Sequence, residues 1–390
     1  MRTLEDLGEL RGRRALVRVD FNVPLTRTAP IEVADDTRIR AALPTIEALR
    51  RRGAALVLVS HLGRPKDHEP ELSLAPVARR LSELIAAPVA LAPGTRGPEV
   101  ERMASELGPG ELMLLENIRY EPGETKNDPE LAADLARLAD VYVNDAFGAA
   151  HRAHASTEGV AHLVAERAAG LLLEREVTTL TELLKAPRRP LVAVLGGAKV
   201  SDKLGVIEAF QKTADRILIG GAMCFPFLRA DGHSVGASLC ADDDVELARR
   251  VRGTGEGAEL ELPCDLVIAT GLDADAAVQT LDGVDVPDGM MGLDIGPRTA
   301  AAYAARVRAA GTVFWNGPMG AFELQPFAAG TRALAEAVAA TEAVTVVGGG
   351  DSAAALMQFG LADRVTHLST GGGASLELIE GRALPGVEAL

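Results

Sequence analysis

A chain of 390 residues is too long for one ordinary hydrophobic core, so two domains are the first expectation. Hydrophobic residues make up 47% and charged residues 24%, the profile of a globular protein, and with only 3% aromatics the cores must be built from Ala, Val and Leu. The net charge of −15 argues against non-specific nucleic-acid binding and against anionic membrane surfaces, so a site for an anionic substrate must be a local basic cluster.

The N-terminal stretch MRTLEDLGELRGRR has no apolar signal core, and no segment reaches the roughly 20 apolar residues of a bilayer span. Cys224, Cys240 and Cys264 form no C-x-x-C pair. They read as buried or partly buried free thiols, which suits a reducing, cytoplasmic setting. Nothing suggests an extended apolar interface, so a monomer is expected.

In chain order, short apolar runs alternate with amphipathic stretches. The runs fall at 15–19, 55–59, 88–92, 111–115 and 141–143, then at 191–195, 216–220, 265–269, 312–315, 344–348 and 366–369. This is the pattern of βα units on parallel sheets covered on both faces. Between the two sets, Leu173, Val177, Leu180 and Leu184 recur at steps of four, three and four and predict a helix over about 170–185, closed by Pro187 and Pro190. That helix reads as the connection between domains. The stretch 253–263, rich in Gly and Glu, reads as a surface loop.

Ligands of open parallel sheets bind beyond the C-terminal ends of the strands. In the first half those ends carry Asp20 and Asn22, His61 and Arg64, Asn117 and Arg119, then Asn144, Asp145, His151, Arg152 and His154, with Arg38 after the first strand. In the second half they carry glycines: Gly196-Gly197, Gly220-Gly221, Asn316-Gly317, Gly348-Gly349-Gly350-Asp351 and Gly371-Gly372-Gly373. One arginine at a strand end is usually a surface residue. Arg38, Arg64, Arg119 and Arg152 together suit a carboxylate or phosphate held by guanidinium forks.

Glycine turns at helix starts suit a polyphosphate gripped by main-chain N–H groups. Residues 193–203, AVLGGAKVSDK, place Lys199 and Lys203 four apart at such a start, although the spacing is not the Walker pattern and a plain turn with solvated lysines fits equally well. Asp351 reads either as a Mg²⁺ ligand beside phosphates or as the cap of the helix from Ser352. Glu323 could accept hydrogen bonds from a ribose. The H-x-x-H of His151 and His154 lacks a third metal ligand, and Trp315 reads as core. Gly348-x-Gly350-x-x-Ala353 fits a loose dinucleotide fingerprint, but no acidic residue stands about 20 positions on.

Nine motifs in order resemble phosphoglycerate kinases: RVDFNVP at 18–24, SHLGRP at 60–65, LLENIRY at 114–120, NDAFGAAHRAHAST at 144–157, GGAKVSDK at 196–203, DIGPRT at 294–299, WNGPMGAFE at 315–323, GGGDS at 348–352 and STGGGASLE at 369–377, with LPGV at 384–387 beyond them. The resemblance implies an α/β fold of two doubly wound parallel-sheet, Rossmann-like domains joined by a helix across a cleft. Expected boundaries are 1–170 for a domain binding 3-phosphoglycerate or 1,3-bisphosphoglycerate and 171–189 for the interdomain helix and hinge. A nucleotide domain would span 190–375, and a segment 376–390 would return to the first domain.

The resemblance further implies that Asp20, Phe21, Asn22, Arg38, His61, Leu62, Gly63, Arg64, Arg119 and Arg152 bind the acid. It implies nucleotide contacts from Gly197, Lys199, Lys203, Gly221, Gly292, Asn316, Glu323, Gly349, Gly350, Asp351 and Ser352, with Asp351 on Mg²⁺. Arg38, Lys199, Gly372 and Gly373 are the implied catalytic group. ATP and ADP are the implied co-substrates, with no nucleic acid and no membrane. Two departures stand out. Cys224-Phe225-Pro226-Phe227 replaces the usual Ala-Asn-Thr-Phe, and Ser352 replaces a common threonine.

Overall fold

The computed structural model describes residues 1–253 and 257–390. The chain divides into two compact units, 1–178 with 383–390, and 179–382. The division falls inside the helix Leu171–Lys185, between Thr178 and Thr179. On this helix Leu173, Leu180 and Leu183 are buried, whereas Val177 and Leu184 are half-buried.

The first unit is built on six strands, β1 (Arg14–Arg18), β2 (Ala55–Val59), β3 (Val89–Leu91), β4 (Leu112–Leu114), β5 (Val141–Asn144) and β6 (Glu166–Ala169). They form one parallel sheet in the order β3-β4-β2-β1-β5-β6. Successive side chains of a strand point to opposite faces. Ala15 and Val17 enter the core with Ile39, Ala42, Ile46 and Leu49 of the helix Thr37–Arg51. Leu16 enters the other core, with Val100 and Ala104 of Pro98–Glu106 and with Leu131 and Leu135 of Pro129–Arg137. Burial on both faces explains why β1, β2, β4 and β5 read as unbroken apolar runs. β6 was not legible, because Glu-Arg-Ala-Ala has no β-branched residue. It is fixed at the edge by pairing with β5 and by the Arg13–Glu166 ion pair at 2.9 Å. The C-terminal turn Pro385–Glu388 closes on this unit: Gly386 N–H donates to Ala150 O (2.9 Å) and Asn144 Nδ2 donates to Gly386 O (3.1 Å).

The second unit contains β7 (Leu191–Leu195), β8 (Arg216–Ile219), β9 (Glu259–Glu261), β10 (Leu266–Ala269), β11 (Gln279–Leu281), β12 (Met291–Ile295), β13 (Thr312–Asn316), β14 (Val344–Gly348) and β15 (His367–Leu368). Six of them make a parallel sheet in the order β15-β14-β13-β7-β8-β9. Val192, Val194, Val313 and Trp315 pack on Leu334, Ala335 and Val338 of the helix Ala329–Ala340, so Trp315 is core.

Two expectations need correction. The run 265–269 does not join the parallel sheet. As β10 it pairs antiparallel with β11 and β12 in a separate three-stranded sheet. Its partners are a polar Gln-Thr-Leu and a Met-Gly-Leu-Asp-Ile strand broken by Gly292 and Asp294, too weakly patterned to announce themselves. The stretch 253–263 is not all loop either. Residues 254–256 lie outside the described residues, but Glu259–Glu261 pairs with β8, where Arg216 bridges Glu259 and Glu261.

Candidate functional site

In the first unit the loops after β1, β2, β4 and β5 converge. Arg38 donates from Nη1 to Asp20 Oδ2 at 2.8 Å. Asn22 Oδ1 accepts from Gly63 N–H (2.8 Å), and Arg119 Nη1 donates to Gly63 O (2.6 Å), so two functional candidates fix the loop carrying a third. Gly63 has φ +61°, a conformation glycine adopts without strain. Asn117, wholly buried, ties this loop to its own: Nδ2 donates to Leu62 O and Leu72 O, and Oδ1 accepts from Leu62 N–H. Arg38 and Arg119 are half-buried, and Arg64 and Arg152 are exposed.

The electrostatics confirm that these cations share one space. Burial lowers the Arg119 guanidinium below its ordinary value, and Arg18 and Arg64 add to the effect. Burial pushes His154 down to about 4, with Arg18, Arg119 and Arg152 pushing the same way. Burial alone would raise the Asp20 carboxyl, but the His61 ring, the guanidiniums of Arg38 and Arg18 and the Asn22 N–H hold it low.

The side chains of Phe21 and Leu62 lie in the core, and Phe21 N–H is taken by Ser60 Oγ (2.9 Å). Missed by sequence reasoning are Arg18, Glu124 and Ser156, a buried polar group behind His61. Its one signal was an arginine inside an otherwise apolar strand.

In the second unit the strand-end glycines bring main chain against main chain. Gly196 and Gly197 N–H donate to Asn316 O and Pro318 O, Gly221 N–H donates to Met319 O, and Met223 N–H donates to Gly197 O. A side chain at Gly221 would lie 2.7 Å from Gly197 N, so three loops can meet only because no Cβ intervenes. Gly349 caps the helix Gly350–Gln358 and Gly371 caps the helix Gly372–Ile379. The Gly372 Cβ position lies 3.5 Å from Gly349 Cα, so the two helix starts are neighbours. Each presents free N–H groups and a positive dipole end.

Lys203 Nζ donates to Asn316 O (2.9 Å) and to Asn316 Oδ1. Burial pulls its ammonium down to about 8, with Asp351 and Asp202 opposing. Although they are four apart, Lys199 and Lys203 do not lie on one helix. The turn Ser201–Lys203 precedes the helix Leu204–Thr213, and Lys199 stands free of it, exposed in the loop. Ser352 is wholly buried and its Oγ accepts from Gly317 N–H (2.6 Å), so its hydroxyl braces a loop and does not face outward.

Beside the helix starts lies a pocket of about 490 Å³, lined by Gly197, Gly221, Leu239, Leu272, Gly292 and Glu323 among others and reaching Asp351. The departing segment forms the helix Cys224–Ala230, fully buried through Leu228, and the Phe225 ring fills the space a side chain at Gly292 would need. Cys224 is buried and Cys240 half-buried, but Cys264 is exposed, contrary to expectation, because it precedes β10 at the surface. Among the described residues no three His, Cys, Asp or Glu side chains converge on a metal position, and no helix is long and apolar enough to cross a membrane.

The phosphoglycerate kinase family profile matches residues 4–382. The chain belongs to the phosphoglycerate kinase family. It is 56% identical over 390 residues to the phosphoglycerate kinase of Rubrobacter xylanophilus, covering 100% of this chain and 98% of that one. It is 56% identical over 391 residues to that of Moorella thermoacetica, with the same coverage. Among solved structures it is similar to phosphoglycerate kinase from Coxiella burnetii, with a TM-score of 0.88, 40% identity and coverage of 99% and 98%. It is also similar to the enzyme from Pyrococcus horikoshii, with a TM-score of 0.83, 32% identity and coverage of 100% and 98%. The two parallel-sheet units are thus the fold of this kinase family, and the three-stranded sheet is a feature of the second unit.

Proposed function

We propose that the chain is an active phosphoglycerate kinase, moving a phosphoryl group reversibly between 1,3-bisphosphoglycerate and MgADP to give 3-phosphoglycerate and MgATP. The observation that carries this reading is the pairing of the Gly350 and Gly372 helix starts beside Lys203 and the open pocket. Asn316 Nδ2, buried against Gly349 with no hydrogen-bond partner, is a donor that a phosphate oxygen would satisfy. The acid would lie in the first unit, among Arg38, His61, Arg64, Arg119 and Arg152, with Asp20 and Asn22 orienting it.

The fit to Mg²⁺ rests on the donor set. Asp351 is an exposed carboxylate one residue into the Gly350 helix, and one carboxylate completed by phosphates and water is how this ion is usually held. Mg²⁺ bound there would offset the charge of the phosphate oxygens. In the ATP-consuming direction the nucleophile is a carboxylate, ionised near neutral pH, so no general base is needed. What remains is in-line alignment and stabilisation of the moving group by Arg38, Lys199 and the N–H groups of Gly372 and Gly373. Because acid and nucleotide sit on separate units, closure precedes transfer. A coupled assay for ATP formation from 1,3-bisphosphoglycerate and MgADP tests this. Steady turnover is expected, and nucleotide binding without turnover would overturn it.

A further inference from the structure

We infer that Arg18 is a positioning residue that fixes His61 as its neutral Nε2–H tautomer, so that the ring meets the acid substrate as a hydrogen-bond donor and not as a cation. The second half of this rests on the substrate site proposed above. Arg18 ends β1, wholly inside the protein. Its Nη2 lies 3.1 Å from His61 Nδ1. A guanidinium has five N–H donors and no acceptor, so Nδ1 must offer its lone pair and the ring proton must sit on Nε2.

The guanidinium cannot turn away. Nε donates to Ser156 Oγ at 2.8 Å, and Nη1 donates to Val19 O. Ser156 in turn donates to Glu124, from Oγ to Oε1 at 2.7 Å and from N to Oε2 at 3.0 Å. Glu124 is buried; burial raises its carboxyl, while Arg18, the Ser156 bonds and Arg119 favour its charged form, the counter-charge to a guanidinium in the interior.

The surroundings agree with a neutral ring. Arg18, Arg38 and Arg119 face His61 as cations, and Asp20 faces it as an anion; His154 and Glu124 lie behind, 3.7 Å apart. Burial, the largest influence, and the three guanidiniums push the imidazole down to about 3, against the pull of Asp20. A protonated ring would also turn an Nδ1–H donor onto the Arg18 donor. The arrangement therefore adds an uncharged donor to a site already crowded with positive charge.

Long-range ¹H–¹⁵N spectra of the full chain with ¹⁵N-labelled histidine test this directly, with His61 assigned by the signal lost in His61→Gln. The expected result is an unprotonated Nδ1 and a protonated Nε2, unchanged from pH 5 to 8. A protonated Nδ1, or a titration midpoint in that range, would overturn the inference without touching the proposed reaction. Adding 3-phosphoglycerate should move the Nε2 signal. If it does not, while the tautomer is as stated, the substrate-site reading fails and the donor role with it. In Arg18→Met the signals should show mixed tautomers, and KM for 3-phosphoglycerate should rise about tenfold, the loss of roughly one hydrogen bond to a charged group, with kcat little changed. Arg18→Lys, which keeps the charge beside Glu124, should recover part of it. An unchanged KM in a folded Arg18→Met would contradict the role, and the wild-type spectrum decides the tautomer even if that variant does not fold.

Discussion

Arg38 uses one guanidinium nitrogen on Asp20 and leaves the others for a ligand, and Lys199 stands exposed beside the glycine loops. In the proposed reaction both would be free to act on the charge that develops during transfer. Arg38→Ala and Lys199→Ala should each lower turnover by about 10², since a well-aimed donor at a developing charge contributes roughly 3 kcal/mol. Nucleotide affinity should fall much less in both, and steady-state kinetics beside calorimetric titration with MgADP checks the split. Unchanged turnover would remove that residue from the role. Their position was legible because four arginines at strand ends stand out in the sequence, although the structure also gives Arg38 and Arg119 partners in their own loops. The supporting group was not. Arg18 lay hidden in ALVRV, Glu124 in an ordinary polar turn, and their partnership exists only once residues 18, 61, 124 and 156 are folded together. The same limit applies to Phe21, Leu62 and Ser352, which sit within motifs but direct their side chains inward.

At the scale of elements, doubly buried strands announced themselves, as did the edge strands β3 and β15, but the other edge strands did not. β1, β2, β5, β7, β13 and β14 are apolar on both faces because helices cover both. β6, β9, β11 and β12 are held by edge pairing or by charge, which no local run of residues records. One element contact has a measurable cost. Asp145 accepts at Oδ1 from Leu172 N–H (2.9 Å) and Leu173 N–H (3.3 Å), at the start of the helix Leu171–Lys185, while its buried Oδ2 has no hydrogen-bond partner. Burial pushes this carboxyl up to about 7, and the bonds from Thr45, Leu173 and Leu172 only partly offset it. An acid whose folded value lies above its ordinary 3.8 holds its proton more tightly when folded. Stability from this group is therefore greatest below pH 3.8, falls through the window up to about 7, and is fully lost above it. Asp145→Asn keeps an acceptor at the helix start and carries no charge. Its urea midpoint should exceed the wild type's only slightly near pH 4.5 and by much more near pH 8. The gain is capped at about 4 kcal/mol by the size of the shift. Equal midpoints at pH 8 would show that this carboxylate is ionised at no cost.

At the scale of the molecule, two units of similar construction present opposite chemistries. The loops of one offer guanidiniums and an imidazole, and those of the other offer bare main chain, two helix starts and a lysine. A reaction using both requires its ligands to be brought together, so the radius of gyration in solution scattering should fall when 3-phosphoglycerate and MgADP are both present. Identical profiles with and without them would count against closure. The division of labour itself is tested most directly by a crystal structure with both compounds bound. The expected result is 3-phosphoglycerate against Arg38, His61, Arg64, Arg119 and Arg152, and the ADP phosphates at the Gly350 and Gly372 helix starts. Finding the acid among the glycines, or the arginine cluster empty at saturating ligand, would contradict it.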